Sequence, residues 1–229
     1  MFIDFDNTLH DTDSKYVNEL DGLLGFDGAF LWDMFLNRIH RMVHVRFPER
    51  HEDLRFHVEL LLEALGRRVS SEDVERFMEA LEDAERACWE APSYFPDAFD
   101  FLRRAKGFGY ILCLTTGPNS AFKAQALEKR VSFKVFDYVF GEDTLGCIKS
   151  EPEYYRRALN VTGADASSTV TVGDTLSTDI APAKIIGLKT IWVNRRGLDP
   201  KAVGVKPDFT VKDLGEALKV IRTLFPGGG

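Results

Sequence analysis

Apolar positions follow two different rhythms along this chain. Phe2 to Phe5 reads as a short strand, and the Asp6-Asn7-Thr8 cluster behind it is turn chemistry. From about Ser14 to Trp89 the rhythm is helical. Leu20, Leu23 and Leu24, then Leu31, Phe35, Ile39, Met42 and Val43, recur at spacings of three and four. Pro48 interrupts one helix in this stretch. Leu54 to Leu65 forms another that stops at Gly66, a plausible glycine just past a helix end. Ser70 or Ser71 opens a third, with acids in its first turn, running to about Trp89. No strand is predicted anywhere in this segment.

After Pro92 and Pro96 the rhythm changes. Short apolar runs alternate with amphipathic helices. The predicted strands are Tyr110–Leu114, Tyr138–Phe140, Thr169–Val172, Thr190–Val193 and a weak edge strand at Phe209–Val211. The predicted helices are Asp97–Lys106, Ala121–Arg130, Pro152–Leu159, Thr178–Ile186 and Leu214–Leu224. Strands alternating with helices imply a parallel sheet covered on both faces, with right-handed crossovers. The expected fold is α/β: a Rossmann-like three-layer core with a central parallel sheet. An all-α cap is inserted after the first strand, giving a core of residues 1–13 and 94–229 and a cap of 14–93.

Composition narrows the function classes. With 229 residues, 45% hydrophobic and 28% charged, the chain can bury a large core without staples. Its net charge of −7 argues against a general binder of nucleic acid or of anionic membranes, whose affinity needs basic surface. Cys88, Cys113 and Cys147 are sparse, odd in number and far apart, which fits small apolar fillers in a reducing compartment. No apolar run reaches the ~18 residues of a membrane span. Met1 runs straight into Phe2-Ile3 and a carboxylate, without the basic start of a secretory leader, so a cytoplasmic protein is expected.

Ligands of open parallel sheets bind beyond the carboxyl ends of the strands. Asp4, Asp6 and Thr8 fall there after the first strand, and Thr115, Thr116 and Gly117 after the second. Lys149 follows the third, and Gly173, Asp174 and Asp179 the fourth. Taken singly, each has a bland reading: a solvated turn, a helix cap or a surface lysine. Together they bring several carboxylates and one lysine to a single edge. Converging carboxylates share protons or a cation. With oxygen donors and no His or Cys set nearby, Mg²⁺ is the expected ion, and it leaves room for a substrate phosphate.

In this order the residues resemble the haloacid dehalogenase superfamily. The matching motifs are Asp4-Phe5-Asp6-Asn7-Thr8-Leu9, then Ile111-Leu112-Cys113-Leu114-Thr115 with Thr116-Gly117-Pro118. Lys149 leads into Pro152-Glu153, and Val172-Gly173-Asp174 runs on to Asp179. The resemblance covers residues 1 to about 13 and 94 to 225; the cap matches in position and helical character only. It implies that Asp4 attacks phosphorus and forms an aspartyl-phosphate, and that Asp6 protonates the leaving oxygen and then activates water. It implies that Thr115 hydrogen-bonds a phosphoryl oxygen and that Lys149 neutralises charge. Asn7, Thr8, Thr116 and Gly117 would help to cradle the phosphate, with backbone N–H groups after Asp4 and Thr115 completing the site. Mg²⁺ would be held by the Asp4 carboxylate, the Asp6 carbonyl and Asp174, with Asp179 binding a metal water or orienting Lys149. Family members that cleave carbon–halogen bonds lack an aspartate at the position of Asp6, because a halide needs no proton. Two departures stand out. Asn7 replaces a common glycine, a position where Asn tolerates left-handed backbone, and Ser150-Glu151 separate Lys149 from Pro152.

The expected activity is Mg²⁺-dependent hydrolysis of a small phosphorylated metabolite, such as a sugar phosphate, phosphoglycolate or a nucleoside monophosphate. The alternatives are a phosphomutase and a non-catalytic binding module. A monomer or weak homodimer is expected. The cap should close over the site and select the leaving group. All five histidines (His10, His40, His44, His51, His57) lie in or beside it, with Arg38, Arg41, Arg46, Arg50 and Arg55. The i,i+4 pair His40 and His44 suits either a metal or, as the favoured reading, a solvated helix face. His10 is the histidine expected nearest the site. Trp89, Tyr94 and Phe95 can line a pocket or simply pack.

Overall fold

The fold is described from a computed structural model over residues 1–50, 53–198 and 204–226, the side chains of 44, 45 and 48 excepted. Strand β1 (Phe2–Asp4) leads into helices only: α1 (Thr12–Leu20), α2 (Gly28–Asp33), α3 (Arg41–Arg46), α4 (Leu54–Ala64) and α5 (Ser71–Glu90). A wide π-helical segment, Met34–His40, joins α2 to α3, and a 3-10 turn at Pro48–Arg50 follows α3. Then come α6 (Ala98–Gly107), β2 (Cys113–Thr115), α7 (Ser120–Val131), β3 (Tyr138–Phe140), α8 (Glu142–Leu145), α9 (Pro152–Thr162) and β4 (Val170–Gly173). A π-helical turn at Leu176–Ile180 feeds α10 (Ala181–Ile185), before β5 (Lys189–Val193), β6 (Phe209–Val211) and α11 (Leu214–Leu224). The chain forms two compact units, Met1–His10 with Tyr94–Gly229, and Asp11–Ser93.

In the first unit six strands pair in the order β3-β2-β1-β4-β5-β6. Every pairing is parallel. The chain fills one side of β1 with β2 and β3, then crosses back to add β4, β5 and β6. The order therefore reverses between β1 and β4, where open parallel sheets leave a crevice at the carboxyl ends. Strands β1, β2 and β4 are buried throughout, which is why they read as near-continuous apolar runs. Packed with Phe2 of β1 and Cys113 of β2 are Tyr154, Tyr155 and Ala158 of α9, with Ala183 and Leu188.

Strand β2 starts later than the apolar run suggested. Ile111 is 56% exposed, and Leu112 gives its N–H to the Asp137 carboxylate at 2.8 Å rather than to a sheet carbonyl. A side chain thus sets the edge of the ladder, which hydrophobicity does not report. The short helix α8 and a 3-10 turn at Ala166–Ser168 also lie beyond what periodicity announced.

The second unit is helical throughout its described residues. Val74, Phe77, Leu81, Ala84 and Cys88 of α5 recur every three or four residues and are all buried. The first three pack in one cluster with Leu20, Leu31, Phe35, Val58, Leu61 and Leu62. Side chains cap the starts of α5 and α4: Ser70 accepts from the Asp73 N–H and Asp53 from the Phe56 N–H. Gly66, at φ +70, takes the left-handed conformation past the end of α4.

Candidate active site

Register brings the carboxyl ends of the central strands level. Asp4 pairs across from Thr115, and Ile3 from Val172, so Gly173-Asp174 emerge beside Asp4. Lys149 arrives from the loop between α8 and α9, and Asp179 from the π-helical turn after β4. Asp4, Thr115, Lys149, Asp174 and Asp179 are all buried. The Lys149 ammonium donates to Asp4 Oδ1 at 2.5 Å and to the Thr115 carbonyl at 2.8 Å. It also lies 2.7 Å from Asp179 Oδ1. Asp179 is fixed from its other oxygen, which accepts the Thr175 N–H at 2.9 Å. A glycine at 173 is required for this approach: a Cβ there would sit 2.2 Å from Asp179 Cγ.

Carboxylate oxygens of Asp4, Asp174 and Asp179 all lie within 4.8 Å of one another. Two like unit charges ~4 Å apart repel by about 4 kcal/mol at a partly screened dielectric. One lysine cannot offset three such carboxylates. Burial, then the charge of Asp179, raises the Asp4 carboxyl to about 7 against the pull of Lys149. Burial, with the charges of Asp4 and Asp179, pushes Asp174 well above the usual carboxylate range. Burial disfavours the Lys149 ammonium, yet Asp179 and Asp4 hold it well above the usual lysine value. Arg196, half exposed, stands 3.5 Å from Asp174 Oδ2, and the Trp192 indole donates to the Asp174 carbonyl at 2.7 Å. Asp4 Oδ2 and the hydroxyls of Thr115 and Thr8 are buried with no hydrogen-bond partner. Each is an unmet polar atom of the kind a ligand satisfies.

The Asp6 side chain makes a different set of contacts. Its Oδ2 accepts from Lys123 at 2.6 Å and from the Thr116 hydroxyl at 3.4 Å. Asn7 holds φ +58, the left-handed backbone that Asn tolerates. Thr116 faces inward to the protein: its N–H bonds the Phe140 carbonyl at 3.0 Å and the Tyr154 hydroxyl at 3.1 Å. The Thr116 N–H, the first backbone donor after Thr115, is therefore engaged within the protein. Nothing lies within 4 Å of a Cβ built at Gly117, so packing does not demand glycine there. The Thr8 carbonyl accepts from Arg195 at 3.1 Å, and Arg195 also grips Asp97 and stacks on Phe95 at 3.9 Å.

A family model for haloacid dehalogenase-like hydrolases matches residues 1–187. This chain belongs to the haloacid dehalogenase-like hydrolases. It is 31% identical over 153 residues to a phosphoserine phosphatase of Thermus thermophilus, covering 61% of each chain. It is 28% identical over 160 residues to a phosphoglycolate phosphatase of Pseudomonas fluorescens, covering 69% of this chain and 56% of that one. The match spans at most about six tenths of the length of the curated relatives. Among solved structures, the HAD-hydrolase YfnB of Bacillus subtilis, bound to magnesium, is similar at TM-score 0.72 and 19% identity over 96% of both chains. An L-2-haloacid dehalogenase of Xanthobacter autotrophicus is similar at 0.68 and 17%, over 96% of this chain and 97% of that one. These likenesses show the fold.

Two features of the site escaped the linear reading. Lys123 is buried, yet it stands in the first turn of α7, where a cation opposes the helix dipole. That awkward placement was the available signal. Tyr154 and Tyr155 are wholly buried in α9, and the Tyr155 hydroxyl donates to the Thr178 carbonyl at 2.9 Å, steadying the turn that carries Asp179.

The histidine side chains among the described residues pack against neighbouring groups. His10 is fully buried, stacked on Phe5 at 5.5 Å and edge-on to Tyr94 at 5.3 Å. In the helical unit His57 is buried, with Nδ1 2.7 Å from the Asp53 carbonyl and Nε2 3.2 Å from His40 Nδ1. His40, half-buried, faces His57 through its Nδ1. The His44 side chain and His51 lie outside the described residues. Arg50 and Arg55 sit in exposed ion pairs at 2.7 Å with Asp53 and Glu75. Trp89 lines a cleft of about 580 Å³ in the helical unit, with Tyr16, Trp32, Phe35 and Met78. Cys88 and Cys113 are buried and Cys147 half-buried, and none of the three is in a disulfide. Among the described residues no helix is long and apolar enough to cross a membrane.

Proposed function

We propose that this hydrolase cleaves small phosphomonoesters through an aspartyl-phosphate on Asp4, with Mg²⁺ as its cation. The observation that carries this is the buried, partnerless Oδ2 of Asp4, set among Asp174, Asp179 and Lys149. An oxygen nucleophile needs a lone pair that no hydrogen bond already holds, and Asp4 Oδ2 has one. Lys149 occupies only Oδ1.

The donor set suits a hard divalent ion: three closely spaced carboxylates, of which Asp4 and Asp174 are raised by burial and then by neighbouring charge, with an unmet oxygen on Asp4. Asp4 and Asp174 would hold it. Asp179, already engaged by Lys149 and the Thr175 N–H, serves to orient Lys149. When bound, Mg²⁺ supplies positive charge that lets an anionic phosphate approach ionised carboxylates.

The chain's own residues account for the rest. Asp4 forms the new O–P bond as the bond from phosphorus to the ester oxygen breaks, and that oxygen takes a proton from Asp6. Water then attacks the aspartyl-phosphate and gives a proton to Asp6. The bond from phosphorus to Asp4 breaks, and inorganic phosphate leaves. Splitting the displacement into two steps lowers each barrier. The buried hydroxyls of Thr115 and Thr8 are donors suited to phosphoryl oxygens, and Lys149 offsets charge on the reacting group. Asp6 favours phosphoryl transfer over dehalogenation, since an alkoxide needs a proton to leave and a halide does not.

Phosphate release tests the proposal over phosphoserine, phosphoglycolate, glyceraldehyde 3-phosphate, a hexose phosphate and a nucleoside monophosphate, with Mg²⁺ and with EDTA. A 2-haloacid with halide detection runs alongside. Release that needs Mg²⁺ and disappears in Asp4→Asn is expected. Isomerisation without release would point to a mutase, and halide release alone would overturn the reading.

A further inference from the structure

We infer that Lys123 is a positioning residue for Asp6, holding its carboxylate in one orientation for proton transfer; this rests on the reading of Asp6 as the acid–base group. Three contacts make a closed triangle. Lys123 Nζ donates to Asp6 Oδ2 at 2.6 Å and to Thr116 Oγ1 at 3.1 Å, and Thr116 Oγ1 donates to the same Asp6 oxygen at 3.4 Å. Both donors fall on one oxygen of Asp6, so they fix the rotation of the carboxylate as well as its place.

The lysine side chain is 10% exposed and that of Asp6 33% exposed, so the ammonium is held from within the protein while the carboxylate faces more open space. A lysine at the surface would be expected to swing into solvent. Here the Phe5 ring lies 5.8 Å from the ammonium, and the lysine's own N–H is tied to the Asn119 carbonyl at 3.0 Å. The element that carries it is the first turn of α7, directly after β2, so the triangle joins the ends of β1 and β2 through side chains. The dipole of α7 opposes a cation there. The pair with Asp6 compensates it.

General acid–base groups contribute about 10²–10⁴ in rate, and only when aligned. Without Lys123 the shorter of the two contacts on that oxygen is gone, the Asp6 carboxylate is held less tightly, and part of that factor is lost. The loss must grow with the demand for a proton. We expect Lys123→Met to lower kcat by ~10–100-fold on an alkyl phosphomonoester, whose alkoxide leaves poorly. On p-nitrophenyl phosphate, whose phenolate leaves unaided, it should fall by less than about 3-fold, with KM little changed on both.

The decisive measurement is a double-mutant cycle with Asp6→Asn on both esters. Lys123→Met should add little once Asp6 is gone. Lys123→Gln, which keeps a donor, should recover part of the alkyl-ester rate, and it also serves if the methionine variant does not fold. Equal falls on the two esters, or losses that multiply with those of Asp6→Asn, would assign Lys123 a purely structural role and overturn the inference. An alkyl-ester rate that rises would overturn it too. If Asp6→Asn itself shows no dependence on the leaving group, the acid–base assignment fails, an outcome distinct from failure of the lysine alone.

Discussion

Replacing Lys149 with methionine keeps the bulk of the side chain and removes its charge. In the folded protein that charge lies 2.5 Å from Asp4 and 2.7 Å from Asp179. At an effective dielectric near 20, each contact is worth about 6–7 kcal/mol of direct attraction, most of it spent on stripping water from the ions. What remains when one partner of a buried pair is deleted is a loss of ~3–5 kcal/mol, because uncompensated carboxylates stay behind. For a chain of this size that lowers Tm by roughly 6–20 °C. The fall should be largest at pH 8 in EDTA. It should shrink at pH 5, where the orphaned Asp4 carboxyl can take a proton. Thermal unfolding followed by calorimetry at the two pH values, with folded structure checked by circular dichroism, measures it. A Lys149→Met protein within ~2 °C of the parent at pH 8 without divalent ions would refute the electrostatic reasoning of the site.

Other outcomes follow from the same geometry. Asp4→Asn relieves repulsion with Asp174 and Asp179 while losing attraction to Lys149, terms of similar size. Its Tm in EDTA should stay within a few degrees while turnover falls by ~10³-fold or more. Because the Asp4 carboxyl is raised to about 7, its stabilising contribution is fully present below about pH 4 and is lost as pH climbs through 7. Asp174 is shifted the same way, so Tm in EDTA should fall from pH 5 to pH 8. Mg²⁺ should therefore raise Tm more at pH 8 than at pH 5, which a titration followed by thermal scans would check; equal gains would refute this. Gly173→Ala forces a methyl group to within 2.2 Å of Asp179 Cγ. It should cost ~1–3 kcal/mol in a denaturant titration and lower kcat by loosening Lys149, and a neutral alanine would contradict the packing.

Much of the fold was written locally. Strand β3 and helix α11 occupy the residues their patterns named, because burial of one face requires a fixed period. The positions of Asp4, Thr115 and Asp174 at strand ends were legible for the same reason: polarity breaks an apolar run where the strand leaves the sheet; Lys149 lies beyond α8, in the loop that leads to α9. The start of β2 was not, since it depends on Asp137 reaching Leu112 across 25 residues.

The candidate site divides along a similar line. Sequence by itself determined which chemistry is present and which elements bear it: carboxylates, a lysine and hydroxyls at the ends of parallel strands. Only the tertiary structure decided which oxygen meets which cation. Lys149 reaches Asp4 from 145 residues away, and Lys123 reaches Asp6 from 117. The hydrophobic period places a residue on a face of its own element. Partner choice depends on register between strands and on how closely Gly173 lets Asp179 approach, and those distances exist only once the chain has closed on itself.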